Sequence, residues 1–397
     1  MLFSKICTYA LATLSFVSAA TIEKREWKGD AKLPLNAEGR YIVDSNGDRV
    51  KLRCANWPGH MEFMIPEGLQ HQSVESIAKS IKEMGLNCVR LTYSIDMALN
   101  QDVSVKDSFY NAVSSVNATE DEVMDLYDQV VSKNPWVGGS TRIEAYDKVV
   151  DVLSEQGILV DLNNHVSRST WCCGSGDGDG FWGDKYFNTD DWIKGLQKMA
   201  EWTKSHSNVV AMSLRNEPRS SNSDQTAEVM SDNFVKGSKA VGEINSDLLI
   251  VFSGMNFDTD LNIYKTNTDC KDSAPGKAVF DVHWYKTTDS SGLENNAGFM
   301  LEEAKNYTAP LYLSEWGLNL DEYKGSDAYA DAVIKYATET DLDFAFWGLQ
   351  GSYYYRDGEL NFAETFALLS DDWSSVRNQQ FMKDINPMLK VTQGPGV

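Results

Sequence analysis

The chain has 397 residues, with 58 Asp and Glu against 36 Lys and Arg, for a formal net charge of −22. This acidic surplus repels phosphate backbones and anionic lipid, which excludes nucleic-acid binding and docking on an acidic membrane as readings. A hydrophobic fraction of 42% with 24% charged residues is that of a folded globular chain, and the length admits either two or three domains or one large α/β barrel.

The N-terminus reads as a secretory signal over residues 1–20. Lys5 supplies the positive start, Ile6 to Val17 an apolar run, and Ser18, Ala19 and Ala20 the small residues of a cleavage site. The dibasic pair Lys24-Arg25 is a second candidate processing point within a segment spanning 21–38. No later stretch approaches the ~20 apolar residues of a membrane span. The protein is therefore expected to be secreted, extracellular and free of transmembrane segments, and we expect a monomer.

A leading hairpin is expected at Gly39–Asp44, turning at Ser45-Asn46-Gly47-Asp48. Short apolar strands follow at Val50–Asn56, Asn87–Tyr93, Ile158–Asn163, Val209–Arg215, Leu248–Ser253, Val279–His283, Leu311–Glu315 and Phe344–Trp347. Their runs of apolar residues suit strands buried on both faces. Helical patterns lie between them at Val74–Met84, Arg142–Gln156, Asp191–Ser205, Thr226–Val241 and Asp327–Thr340, with Gly85 and Gly157 placed to stop the first two. Eight strands alternating with helices predict one (β/α)8 TIM barrel domain over 39–390, with a short tail at 391–397. The excess over the ~250 residues of a plain barrel falls to the hairpin and to two long loops, 94–140 and 166–190.

Once Cys7 leaves with the signal, five cysteines stay in an oxidising compartment. The simplest pairing joins Cys172 or Cys173 to Cys270, while Cys54 and Cys88, on two early strands, are either bridged or simply buried. Asn117-Ala118-Thr119 and Asn306-Tyr307-Thr308 are glycosylation sequons. The five His are scattered and lack metal-ligand spacing, so neither a metal nor a cofactor is expected. Asp177-Gly178-Asp179-Gly180 has a faint calcium-loop look, but Asn188 stands where that loop needs Glu, and a solvated loop is the better reading.

In such a barrel the chemistry sits where strands end. There the sequence places Arg90, His165, Asn216-Glu217, His283, Tyr285, Glu315 and Trp347. Glu217 ends the fourth strand and Glu315 the seventh, so both carboxylates reach one cleft from opposite sides. Glycosidic cleavage needs such a pair, one to protonate the leaving oxygen and one anion beneath the anomeric carbon. A carbohydrate-binding protein without chemistry is the non-enzymatic alternative, and it predicts loss of one glutamate.

With Asn216-Glu217-Pro218, Ser314-Glu315-Trp316-Gly317 and His283-Trp284-Tyr285 in order, the sequence resembles glycoside hydrolase family 5, the cellulase-type family, from Gly39 to Trp347. The resemblance implies Glu217 as acid/base and Glu315 as nucleophile of a retaining reaction. It implies supporting roles for Arg90, His165, Asn216, His283, Tyr285 and Trp347. Physically, Arg90 would hold Glu315 ionised and lower its pKa, Tyr285 would donate to it, and Asn216 would bind the sugar 2-hydroxyl. Asn163-Asn164-His165 stands where the family has Asp-x-His, which leaves the partner of His165 open. The Trp171-Cys172-Cys173 loop resembles a plant- and fungal-type branch. Candidate sugar-stacking aromatics are Trp57, Trp171 and Trp284, with Trp182, Trp316 and Tyr353 to Tyr355 behind them. The implied substrate is a neutral polysaccharide or oligosaccharide, most simply a β-1,4-glucan cut internally. β-Mannan, β-1,3-glucan, a disaccharide glycoside or a glycolipid are alternatives.

Overall fold

A computed structural model describes residues 27–285 and 291–397. The signal segment and Lys24-Arg25 lie outside the described residues. Eight parallel strands close into a barrel: β1 (Arg53–Trp57), β2 (Cys88–Ser94), β3 (Leu159–Val166), β4 (Val209–Ser213), β5 (Leu249–Phe252), β6 (Ala278–His283), β7 (Leu311–Trp316) and β8 (Asp343–Phe346). Each pairs with its sequence neighbours, and β8 returns to β1 through Phe344–Arg53 and Phe346–Ala55.

Alternation along each strand builds two cores. In β2, Val89, Leu91 and Tyr93 point outward into the helical layer, whereas Cys88 points inward with Leu159, Leu249, Val251 and Tyr312 to fill the barrel floor. One step up the interior the packing turns polar. Asn56, Arg90, Asp161, Asn163, Ser213, Asp281 and Ser314 are all buried, and they form the platform beneath the strand ends. Cys54 and Cys88 face each other in register across β1 and β2 and are joined by a disulfide.

The expected helices form at Val74–Glu83, Arg142–Glu155, Thr189–Thr203, Ala227–Gly242 and Ala328–Glu339. Thr141 and Glu144 make a reciprocal capping box at the start of the second. Gly85 and Gly157 follow two of the helices at φ +80° and +68°, the left-handed conformation that ends a helix.

Three expectations are corrected. The two-stranded hairpin pairs Asn36–Glu38 with Tyr41–Val43 around Gly39-Arg40. The turn at Ser45–Asp48 carries only the isolated bridge Val43–Arg49. Segment 94–140 is largely helical, with helices at Ile95–Leu99, Val105–Ala112 and Glu120–Lys133; Thr119 and Glu122 form the last one's capping box. Cys270 is a buried free thiol hydrogen-bonded near Ser231 in the outer layer, and Cys172 is instead bonded to its neighbour Cys173. The C-terminal tail is tied to the barrel, the Arg49 N–H donating to Pro395 O at 2.9 Å. Asn117 and Asn306 are both exposed. Among the described residues, no helix is long and apolar enough to cross a membrane.

Candidate active site

The polar interior layer is organised by Arg90, which β2 delivers fully buried. Its Nη1 donates to Asn56 Oδ1 at 2.9 Å and to Glu315 Oε1 at 2.8 Å, and its Nη2 donates to Asn216 Oδ1 at 2.8 Å. Asp161 and Asp281 lie 3.7 Å away on either side. A buried guanidinium needs this many partners, because unpaired burial of the charge costs several kcal/mol. Its surrounding acids hold it firmly cationic. Asn56 in turn donates to Ser314 O and Phe346 O at 2.9 and 3.3 Å, clamping β1 to β7 and β8.

Glu315 ends β7 with each oxygen engaged. Arg90 holds Oε1, and the Tyr285 hydroxyl donates to Oε2 at 3.1 Å. The expected lowering of its pKa is not what the site produces. Burial raises it, and the opposing pull of Arg90 offsets only part of that.

Glu217 follows β4 in a left-handed backbone conformation, φ +46°, which is uncommon for a residue with a side chain. Its carboxyl shares a hydrogen bond with His283 Nδ1 at 2.8 Å, and its side chain is 14% exposed. Burial pushes its pKa up to about 7, against the pull of Arg219 and Arg90. One carboxylate oxygen each from Glu217 and Glu315 and a His283 ring nitrogen lie within 4.8 Å of one another. Burial drives His283 down to about 4, so it is neutral between the two acids.

His165 finds its partner in the residue whose change from acid to amide had left it open. Its Nδ1 bonds Asn163 Oδ1 at 2.8 Å, and its ring stacks on Trp347 at 5.4 Å and 15°. Trp347, Trp171, the Cys172–Cys173 pair, Asn216, Glu217, Tyr285 and Glu315 line one cleft of about 330 Å³ with Arg356 and Glu364. Trp171 is therefore in the cleft, with the Arg356 guanidinium 3.6 Å over its ring.

Trp57 and Trp284 are not cleft residues. Trp57 is fully buried against Trp373 at 6.1 Å and donates its indole N–H to Glu67 O. Trp284 belongs to the outer core, and Trp316 and Trp182 are likewise packed there. Tyr353 and Tyr354 are fully buried, although Tyr353 meets the Trp171 edge at 5.6 Å. The acids of the calcium-like loop are engaged by arginines, Asp177 with Arg219 and Asp179 with Arg215. Asp179 is buried, so it is not part of a solvated loop.

Sequence reasoning passed over several site residues. Asn56 carried a signal, an amide one residue before the end of a barrel strand. His60, whose ring lies 4.1 Å from His165, comes from the irregular segment after β1. Asp258, 3.5 Å from His283 Nε2, ends the short helical turn Met255–Asp258 after β5. Arg356, on a two-residue strand paired with Glu359–Leu360, and Glu364 just beyond it follow β8, where no periodicity points to them.

The family Cellulase (glycosyl hydrolase family 5) matches residues 43–352. The chain belongs to glycosyl hydrolase family 5. It is a glycosidase. A "Glycosyl hydrolase 5 family protein" from Chamaecyparis obtusa is 36% identical over 385 residues, covering 91% of this chain and 67% of that protein. An "Endoglucanase" from Paenibacillus polymyxa is 23% identical over 388 residues, covering 90% of this chain and 88% of that protein. Among solved structures, the catalytic domain of the major endoglucanase from Xanthomonas campestris pv. campestris has the same fold, with a TM-score of 0.66 at 19% identity. That match covers 89% of this chain and 99% of that one. An endocellulase of Pyrococcus horikoshii, in complex with cellotetraose, superposes at a TM-score of 0.66 and 16% identity over 91% of this chain and all of that one.

Proposed function

We propose that this family member is a secreted retaining β-glycosidase, an endo-β-1,4-glucanase, with Glu217 as acid/base and Glu315 as nucleophile. The observation that carries the reading is the pair itself. The carboxyls share one cleft within 4.8 Å, and Glu217 is held protonated up to about pH 7. A retaining enzyme needs its carboxyls ~5–5.5 Å apart, whereas an inverting one leaves ~6.5–9.5 Å for a water.

In the first step Glu315 attacks the anomeric carbon while Glu217 gives its proton to the departing glycosidic oxygen. Glu315 loses its negative charge on being glycosylated. The anion of Glu217 is then easier to keep, and it takes a proton from the water that displaces the sugar from Glu315. Arg90 and Tyr285 hold Glu315 in position through both steps. The Asn216 amide is placed to bind the 2-hydroxyl, a bond that strengthens in the oxocarbenium-like transition state, and Trp347 forms the floor of the sugar site. The apolar segment at residues 1–20 and the two exposed sequons support secretion.

A second reading keeps the mechanism and shortens the substrate to a β-linked disaccharide or small glycoside. It is favoured by Arg356, which covers one face of the Trp171 ring and so removes a stacking surface from the cleft. A hydrolysis screen separates the two readings. β-1,4-Glucan polymer cut to long products supports endo action, release of only mono- or disaccharides supports the second reading, and near-wild-type turnover by Glu315→Gln on a cleaved glycan rejects both.

A further inference from the structure

The Cys172–Cys173 disulfide lies in the cleft wall, yet neither step of the reaction uses it. Both cysteines line the cleft beside Asn216 and Glu217, and one sulfur from each lies within 4.8 Å of a Glu217 carboxylate oxygen. Cys172 is buried. Asn216 Nδ2 sits 3.8 Å from the Cys172 sulfur and 3.6 Å from that of Cys173, while its Oδ1 is fixed by Arg90. The loop is anchored to the element that carries the acid/base. Arg219 donates to Gly174 O at 3.2 Å through Nε and to Glu217 O at 2.8 Å through Nη1, and the Gly174 N–H donates to Asp177 Oδ2 at 2.9 Å.

Two properties of the disulfide suit this place. Sulfur is a weak hydrogen-bond acceptor, so it can rest against an amide N–H without competing with a hydroxyl oxygen that arrives later. It is also apolar and polarizable, so it packs well against the C–H surface of a sugar ring. We propose that the Cys172–Cys173 disulfide is a sugar-binding element: its sulfurs wall the cleft at the scissile bond and hold the Asn216 amide ready for the substrate 2-hydroxyl. This rests on the glycosidase reading of Glu217 and Glu315. The disulfide acts through Asn216, so it positions rather than reacts.

The test uses the full chain with Cys172→Ala and Cys173→Ala combined, assayed on an aryl β-glucoside and on its 2-deoxy analogue. Loss of one well-placed hydrogen bond lowers kcat/KM on the 2-hydroxy substrate about tenfold, and on the 2-deoxy substrate by less than about threefold. Equal losses on both substrates indicate general damage and overturn the proposal, as does no loss on either. If the double variant does not fold, the wild-type protein is treated with a water-soluble phosphine. The phosphine takes up the water oxygen as its oxide while the disulfide gains two electrons and two protons to become two thiols. Thiol counting checks that Cys54–Cys88 stays closed, and the same pair of substrates is read with the same outcomes. If the wild type turns over neither substrate, the readout moves to binding, and the glycosidase reading fails separately only where β-1,4-glucan polymer is not cleaved either. Cellotetraose binding, followed by tryptophan fluorescence, then decides: weaker binding once the disulfide is lost supports its sugar-binding role, and equal binding, or none in either protein, overturns it.

Discussion

Replacing Glu217 by Gln removes a carboxyl that the fold keeps protonated, and the consequence can be worked out. Its pKa is raised from 4.5 to about 7, mainly by burial. At ~1.36 kcal/mol per pKa unit, ionising Glu217 in the folded protein costs about 3 kcal/mol. Between these pH values the folded state binds one more proton than the unfolded state, so the contribution is fully present below 4.5 and is lost as pH rises through 7. Wild type should therefore lose stability relative to Glu217→Gln by about 2–3 kcal/mol from pH 5 to pH 8, with groups common to both cancelling. Urea denaturation of both proteins at unit pH steps measures the difference. A flat difference curve, or one in which wild type gains with pH, refutes burial as the force that keeps the acid protonated. The same titration sets the alkaline limb of wild-type kcat/KM near pH 7.

Arg90→Met leaves Glu315, Asp161 and Asp281 without their shared cation. It should cost about 3–5 kcal/mol in urea denaturation, with kcat falling far more than KM rises. Opening the Cys54–Cys88 disulfide with a double Ala variant frees a loop with a sequence separation of 34. The chain-entropy relation gives a loss of about 3–4 kcal/mol, and kcat should be nearly unchanged because the bridge lies on the barrel floor. Trp57→Ala should lower stability by about 3–5 kcal/mol, as for other buried Trp residues. Trp347→Ala should act mainly on kcat/KM, and comparing melting curves with kinetics for the pair checks the assignment of one to the core and the other to the cleft.

The barrel was legible because its strands are buried on both faces and so read as short apolar runs. The site was legible because its polar residues interrupt those runs at the strand ends. The errors among the tryptophans follow from strand parity. Asn56 points inward, so Trp57 beside it points out into the helical layer, and past the register shift at the end of β7 Trp316 does the same. Trp284 lies between His283 and Tyr285 and is directed outward for the same reason. Trp347 follows the outward Phe346, and it faces the cleft. Alternation around His283 and Tyr285 sorts Trp284 without a structure, but β7 carries a register shift at its end, with Ser314 and Glu315 both inward, so alternation alone does not sort Trp316. The cysteines could not be sorted this way. The simplest pairing joins one of the adjacent Cys172 and Cys173 to Cys270, and only the path of the loop shows that the two bond each other. The direction of the Glu315 shift was misjudged because Arg90 is visible in the sequence while the depth of burial is not. Arg356 and Glu364 reach the cleft from a short hairpin and the turn beyond it after β8, and no repeat or spacing marks them.

The central claim is that Glu217 and Glu315 act by double displacement, and the stereochemistry of the first product tests it most directly. Proton NMR of a β-1,4-linked cello-oligosaccharide during early hydrolysis resolves the anomeric protons before mutarotation mixes them. The account predicts that the β-anomer of the new reducing end appears first and the α-anomer only later. Initial release of the α-anomer would mean inversion, and would contradict the assignment of Glu315 as nucleophile.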